Sequence, residues 1–457
     1  MTDLNSLTVN ELAPLLEAKQ LSPVELTESL LSRIDDIDPA VNAFITPLHK
    51  SALNQARIAE DEIMKGRYKG FLHGIPIGIK DNFYTKGIKT TGGSKLLLDF
   101  IPNENATVVE KLIDAGSIIL GKLNMHEFGG GLTNTNPFFG NSRNPWDLNY
   151  MTGGSSGGSG GALGAGLIPL ATGTDTFGSI RVPASMCGVY GLKPTYGLVS
   201  TYGILPLSWT LDHAGPMARS VEDLALMLNV IAGYDSKQPG SIKSPKIDYR
   251  NSLNQSVNGL KIGIPTYFLK ELDQEVLLLF HHALKKLQSM GAEVEEIDIP
   301  ELTMAPYAGY VIMTGEAATS QSKWLTTQGN DYAQDVRSLF KTGFLTTALQ
   351  YVRAQQVRRL LTQAFSKTFE KIDIIVGPVV PHATQRFHTN FVNQNLDIIK
   401  RCMPFTSPAN LTGTPSLSVP IGFDSHGLPA GMQFIANHLS EDILIKLGNA
   451  WERQDNL

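Results

Sequence analysis

Cysteine is nearly missing from this sequence. Two residues, Cys187 and Cys402, occur in 457, which excludes a disulfide scaffold, and without a CxxC spacing they make no metal site. Charged residues are sparse at 18%, and the net charge is only −5, so no basic footprint for a nucleic acid exists. No run of 18 or more consecutive apolar residues occurs, so no segment reads as a membrane helix. The opening MTDLNSLTVNEL lacks the basic flank and apolar core of a secretory signal. The ten histidines fall at no metal-binding spacing, and neither a G-x-x-x-x-G-K-[ST] loop nor an in-register GxGxxG is present. These absences predict a cytoplasmic protein with no cofactor, no metal, no nucleic-acid partner and no membrane.

Glycine, by contrast, is plentiful at 43 residues, which favours tight turns and close backbone approach over long helical bundles. Helical and strand patterns alternate. Ser22-Pro23 reads as N-cap and first residue of a helix with Leu26, Leu30, Leu31 and Ile34 on one face. GIPIGIK (74–80) reads as a buried strand ending at Lys80. ATVVEKLIDAG (106–116) reads as a helix burying Val108, Val109, Leu112 and Ile113, and SIIL (117–120) as the strand after it. SVEDLALMLNVIAG (220–233) opens on a capping box of Ser220 and Asp223. Strand, helix and strand follow at 259–265, 275–291 and 292–299, then a helical stretch at 320–370 and a strand at 373–378. The pattern predicts an α/β fold with a central mixed sheet covered by helices on both faces. The polar stretch 236–258 is the best candidate for a surface excursion, but composition never breaks cleanly. The expectation is one large domain over 1–457, with an N-terminal helical segment (1–66), a core carrying the motifs (67–235), and the remaining sheet, covering helices and pocket (236–457).

The chemistry concentrates around residues 151–166, MTGGSSGGSGGALGAG, which elsewhere would read as a flexible linker. An apolar run follows at 167–171, and then GTDTFGSIRVPAS. The tract matches G-x-S-x-G, but a nucleophile elbow needs a strand directly before it, and LNYMTGG is not one. Three segments stand out: the strand end at Lys80, the nearly bare backbone around Ser155 and Ser156, and Ser179 behind Gly178. Taken singly, each has an ordinary account: a snorkelling lysine, a helix cap, a turn serine. Their order and spacing together point elsewhere.

With the further pieces KLNMHEFGGG and NPFFGNSRNPWD within 122–147, LDHAGPM (211–217) and NLTGTPSLSVPIG (410–422), the chain resembles the amidase signature family of serine hydrolases over nearly its full length. The resemblance implies a Ser–Ser–Lys triad with Ser179 as nucleophile, Ser155 as bridging serine and Lys80 as base. It also implies a cis Gly154–Ser155 peptide and an oxyanion hole of backbone N–H groups from Thr176, Phe177, Gly178 and Ser179. A serine hydroxyl needs a base to become nucleophilic, and lysine can serve only when neutral. Burial lowers its pKa, and a depression of roughly three units costs about 4 kcal/mol. Asp175 and Arg181 are expected to prop the oxyanion loop, Cys187 to be an inert buried thiol, and His213 an ordinary hydrogen-bonded histidine.

Phe177 departs from the family, most of whose members have glycine there. Either the loop keeps an ordinary φ at this position or it is strained, and the ring is expected to bound the acyl pocket. By analogy Met125, Phe128, Gly129, Tyr307, Met313 and Met403 line that pocket, and their apolar character favours aryl or alkyl amides.

The function this implies is a stand-alone amidase, acting on carbon–nitrogen bonds other than peptide bonds in a small-molecule amide, with room for a homodimer. The alternative within the family is the A subunit of a tRNA-dependent amidotransferase, a glutaminase. In that subunit's pattern an arginine pair follows E-V-K and an acid stands before the late P-x-N-L; here Ser338, Leu339 and Met403 hold those places. A third alternative is a catalytically silent binding protein on the same fold.

Overall fold

The computed structural model describes residues 4–454. The alternation read from the sequence resolves into eleven strands: β1 (Phe44–Pro47), β2 (Pro76–Lys80), β3 (Ile118–Leu123), β4 (Leu170–Asp175), β5 (Tyr190–Lys193), β6 (His213–Ala218), β7 (Lys261–Pro265), β8 (Glu293–Ile297), β9 (Ile374–Pro378), β10 (Ser416–Phe423) and β11 (Pro429–Ala436). They form one mixed sheet in the order β1-β3-β2-β4-β6-β5-β10-β11-β9-β7-β8. β3, β2 and β4 run parallel at one side, β9, β7 and β8 at the other, and antiparallel pairs join them through the middle. Strands β2, β3 and β4 are buried along their whole length, as expected where helices cover both faces of parallel strands. A single sheet running through all parts of the chain is the single-domain α/β architecture.

Local rules account for most elements. The helix Pro23–Val41 begins where Ser22 Oγ accepts from the backbone N–H of Val24 and Glu25, and ends at Asn42 in the left-handed region. Three expectations need correction. The segment 1–66 is not purely helical, because β1 pairs antiparallel with β3 at the sheet edge. Ile113 is 40% exposed, since its helix, Thr107–Asp114, buries the 108/109/112 face and turns 113 outward. The capping box is only half formed. Ser220 Oγ accepts from Asp223 N–H, but the Asp223 carboxylate instead accepts from Val9 and Asn10 N–H. It thereby holds the N-terminus of the helix Val9–Glu17 against the body of the protein.

The glycine tract is not a linker. It becomes the buried helix Gly157–Gly164, wedged where side chains would not fit. A Cβ on Gly158 would lie 2.4 Å from Asn124 O, and one on Gly160 2.9 Å from Pro183 O. Backbone packs on backbone here, as only glycine allows.

Candidate active site

Lys80 closes β2 and Asp175 closes β4, so both stand at the carboxyl ends of neighbouring parallel strands, where open α/β sheets place their sites. The Lys80 side chain is fully buried. Its Nζ lies 2.8 Å from Ser155 Oγ, 2.8 Å from Ser156 Oγ and 2.7 Å from Thr174 Oγ1. All three ammonium positions meet neutral hydroxyls rather than a carboxylate. Burial therefore dominates and pushes the Lys80 pKa down to about 7, against a smaller upward pull from Asp175 and Asp212. A lysine so placed is partly neutral near pH 7.

The Gly154–Ser155 peptide is cis. Ser155 and Ser156 precede the glycine helix, and Ser156 N–H donates to Ser179 O at 3.2 Å. That bond ties the tract to the loop after β4, so the three separated segments converge. Among the described residues the Ser179 hydroxyl has no hydrogen-bond partner, and it lines a small cavity. The Ser155–Ser179 contact that a relay needs is thus not formed at rest; such bonds commonly tighten only in the complex with substrate.

The loop between Asp175 and Arg181 is held by its ends. Asp175 Oδ1 accepts from Gly178 N–H at 2.7 Å, and Oδ2 from Ile180 N–H at 3.2 Å. Arg181, fully buried, pairs with both Asp175 oxygens at 3.0 Å and also reaches Gln433 and Asn410. Burial alone would raise the Asp175 pKa, but Arg181 and, further off, Lys193 hold it well below the usual carboxylate range. The Gly178 N–H is therefore engaged and is not a free oxyanion donor, which corrects the sequence expectation. Among the described residues the N–H groups of Thr176, Phe177 and Ser179 carry no hydrogen bond. The positive φ of the loop falls on Gly178, at 102°, and not on Phe177. Phenylalanine is tolerated because its own backbone is ordinary.

Two cavities meet at Gly129, Thr176 and Leu207. The smaller, about 20 Å³, is walled by Ser179, Phe177, Leu132, Met313, Leu339 and Ile399 among others, with no charged residue. The larger, about 420 Å³, is bordered by Asn82, Thr174, Phe128 and Asp212 and opens past three aromatic rings. Of the six pocket residues expected by analogy, Gly129 and Met313 reach the small cavity and Phe128 the large one. Met403 sits behind Phe177: a Cβ added at Gly309 would lie 3.0 Å from the Phe177 ring and 3.4 Å from Met403 Cε. Met125 and Tyr307 line neither cavity. Met125 is wholly buried under Gly93, and Tyr307 is half exposed on the outside of the helix Ala305–Thr327.

Sequence reasoning missed Thr174, Asn82 and Asp212. A signal for the first existed, because Thr172 and Thr174 are two apart on β4 and share a face. Both meet Lys80, Thr172 Oγ1 accepting its backbone N–H at 2.9 Å. Asn82 donates to Thr174 Oγ1. Asp212 accepts from the Thr176 hydroxyl at 2.5 Å and from Leu207 and Ser208 N–H. Its pKa is pushed up to about 7, chiefly by burial. His213 is buried with Nδ1 2.7 Å from Leu211 O. Burial raises the Cys187 thiol pKa, as an inert thiol requires. Among the described residues no helix is long and apolar enough to cross a membrane.

The family model described as Amidase matches residues 25–445. The A subunit of the Methylococcus capsulatus glutamyl-tRNA(Gln) amidotransferase is 40% identical, over 98% of this chain and 96% of that protein. Among solved structures, a bacterial aryl acylamidase of the amidase signature family superposes with a TM-score of 0.91 at 30% identity, covering 99% of this chain and 96% of the other. The A subunit of the Thermotoga maritima glutamyl-tRNA(Gln) amidotransferase gives a TM-score of 0.86 at 32% identity, with 100% and 96% covered.

Proposed function

The chain belongs to the amidase signature family, and from that premise we propose that it cleaves a carboxylic amide C–N bond through an acyl-enzyme on Ser179. The observation that carries this is the 2.8 Å contact of a buried, charge-lowered Lys80 with Ser155 Oγ, beside the Ser179 loop. Neutral Lys80 takes the Ser155 proton as Ser155 takes that of Ser179. Ser179 Oγ bonds to the acyl carbon, and the free N–H groups of Thr176, Phe177 and Ser179 receive the oxyanion. One such donor is worth about 2.7–4 kcal/mol. The proton returns through Ser155 to the leaving nitrogen as the C–N bond breaks. Water then attacks the ester by the same route in reverse and frees the acid.

Two observations bear on which amide is cleaved. Curated relatives at 40% and 43% identity are amidotransferase A subunits, so on kinship the subunit reading, set second by the sequence, is the better supported. The small cavity points the other way. Leu339 and Met313 wall it and no charged side chain lines it, whereas the acyl part of glutamine carries a zwitterionic head that needs charged partners. Of the two positions where the subunit's pattern has arginines, Leu339 faces this cavity and Ser338 is exposed. On this geometry the acyl group is small and apolar.

An arylsulfonyl fluoride should label Ser179, seen as a single adduct by peptide mass spectrometry, and the purified chain should hydrolyse a simple amide. An adduct on Ser156 with Ser179 untouched would sink the mechanism. Silence on every simple amide, followed by glutaminase activity once a partner subunit is added, would establish the subunit reading instead.

A further inference from the structure

Part of the wall of the small cavity beside Ser179 comes from three separate pieces of chain. These are a glycine strap at 129–132, Leu339 of the helix Gln334–Thr342, and Ile399 of the helix Phe391–Thr412. Behind the wall the three pieces are fastened at one point. Asp335 lies four residues before Leu339, and Asn395 four before Ile399, so each polar residue shares a helix face with the wall residue one turn on. Asp335, Asn395 and His126 are all fully buried. Asp335 Oδ2 accepts from His126 Nε2 at 3.0 Å and from Asn395 Nδ2 at 2.8 Å. A carboxylate offers no proton, so Nε2 carries that of the imidazole. The 3.4 Å between Nε2 and Asn395 Nδ2 then sets two donors side by side on one acceptor.

Asn395 also reaches the strap. Its Oδ1 accepts from Leu132 N–H at 3.1 Å, and its Nδ2 donates to Gly130 O at 3.3 Å. Between those bonds Gly131 lies flat on the cluster: a Cβ there would stand 2.3 Å from His126 Nε2 and 2.6 Å from Asn395 Oδ1. The strap needs holding, because it follows Phe128 at φ 46° and begins with Gly129 at φ 75°. A left-handed residue other than glycine persists only where its surroundings over-determine it. One Asp335 oxygen, Oδ1, has no partner among the described residues. A buried acceptor left so destabilises the fold, and an apolar trio of the same volume would avoid that. What the polar trio adds is direction, since its bonds arrange both helices and the strap about one oxygen atom.

We propose that His126, Asp335 and Asn395 are positioning residues that set the width of the small cavity, and with it the length of acyl chain the protein accepts. The inference rests on the reading above, in which Ser179 is the nucleophile and this cavity takes the acyl group. None of the three residues lines either cavity; they act through the strap, Leu339 and Ile399.

The test compares kcat/KM for 4-nitrobutyranilide and 4-nitroacetanilide on the parent and on Asn395→Ala, Asp335→Ala and Asp335→Asn. The alanine variants release the strap, so the butyryl-to-acetyl ratio should rise about tenfold, the lower end of what one methylene is worth in a shaped pocket. Asp335→Asn keeps an oxygen for both donors and should keep the parent's ratio, a distinction that mere loss of stability does not make. An unchanged ratio in the alanine variants overturns the proposal, as does an equal rise in Asp335→Asn. Should both alanine variants fail to fold, His126→Ala, which removes the ring under Gly131, takes their place with the same expectation. If the parent turns over neither anilide, the amidase reading fails, and the cluster is judged by hydrogen exchange. The segment 128–133 should then exchange faster in the alanine variant while β10 and β11 keep the parent's rates. Unaltered exchange in that segment, or acceleration throughout the chain, overturns the positioning role.

Discussion

The backbone N–H of Gly178 donates to Asp175 Oδ1 at 2.7 Å, so the residue just before the proposed nucleophile is fixed by the residue that ends β4. One carboxylate thereby sets the shape of the whole loop, while Arg181 neutralises it from behind. Asp175→Ala would leave Arg181 and Lys193 buried without their shared anion. Removing one partner of a buried pair costs about 3–5 kcal/mol, so urea unfolding should show a midpoint lowered to match. Labelling of Ser179 by a sulfonyl fluoride should slow as well. A variant with unaltered midpoint and labelling rate would mean that the loop is held by other contacts.

Lys80 sets the pH response. Burial depresses its pKa to about 7, and the active form is the neutral one, so kcat/KM should rise through pH 7 and stay high into the alkaline range. Lys80→Ala should lose at least about 10²-fold, the lower end for a positioned base. A pH profile falling above 7, or activity retained in the variant, contradicts this role.

Asp212 acts on that pKa from a distance. Its negative charge, which develops as the pH passes its own value of about 7, favours the ammonium form and so raises the Lys80 value. Asp212→Asn removes the charge, Lys80 loses its proton more readily, and the rising limb of kcat/KM should move to lower pH. Some rate is lost too: with the amide oxygen kept on Leu207 and Ser208 N–H, its NH2 faces Thr176, whose hydroxyl must accept where it now donates. A limb that stays put or moves upward would remove Asp212 from the electrostatics of the site.

What the sequence made legible follows from how local each signal is. A run of isoleucines ending in lysine can hardly be anything but a buried strand with a lysine at its tip, and β2 is that strand. The glycine tract by itself read as a linker, and only its order with the Lys80 strand and the Ser179 segment, and the resemblance they carry, pointed to a packed site. Orientation was harder to read. The helix Ala305–Thr327 is buried on several sides, so its periodicity does not say which residue faces the cavity; Met313 does and Tyr307 does not. The Asp223 carboxylate chose a partner more than 200 residues away over its own helix, which no local rule foresees. Gly178 shows the same limit in the loop: the sequence supplied four N–H groups in a row, and only the fold decided that Asp175 takes one. The four residues of β1 were too few to register against the helices on either side.

Phe177, the residue that departs from the family's glycine, tests how the small cavity is shaped. Its ring borders that cavity, packed near Gly309 and Met403, while its backbone keeps an ordinary φ and a free N–H. Removing the ring should open space for a longer acyl chain without removing the donor. Phe177→Gly is therefore expected to raise kcat/KM for a bulky acyl amide relative to a short one, while the short one loses modestly through a looser loop. Gly309→Ala should act in the opposite sense. Its new methyl would stand 3.0 Å from the Phe177 ring, tighter than ordinary contact, and so press the ring toward Ser179. Short acyl groups should then suffer less than long ones. The measurement is the ratio of kcat/KM for a butyramide and an acetamide sharing one amine, taken on the three proteins. The ordering Phe177→Gly above the parent above Gly309→Ala is the expected outcome; three equal ratios would mean that the ring does not bound the acyl group at all.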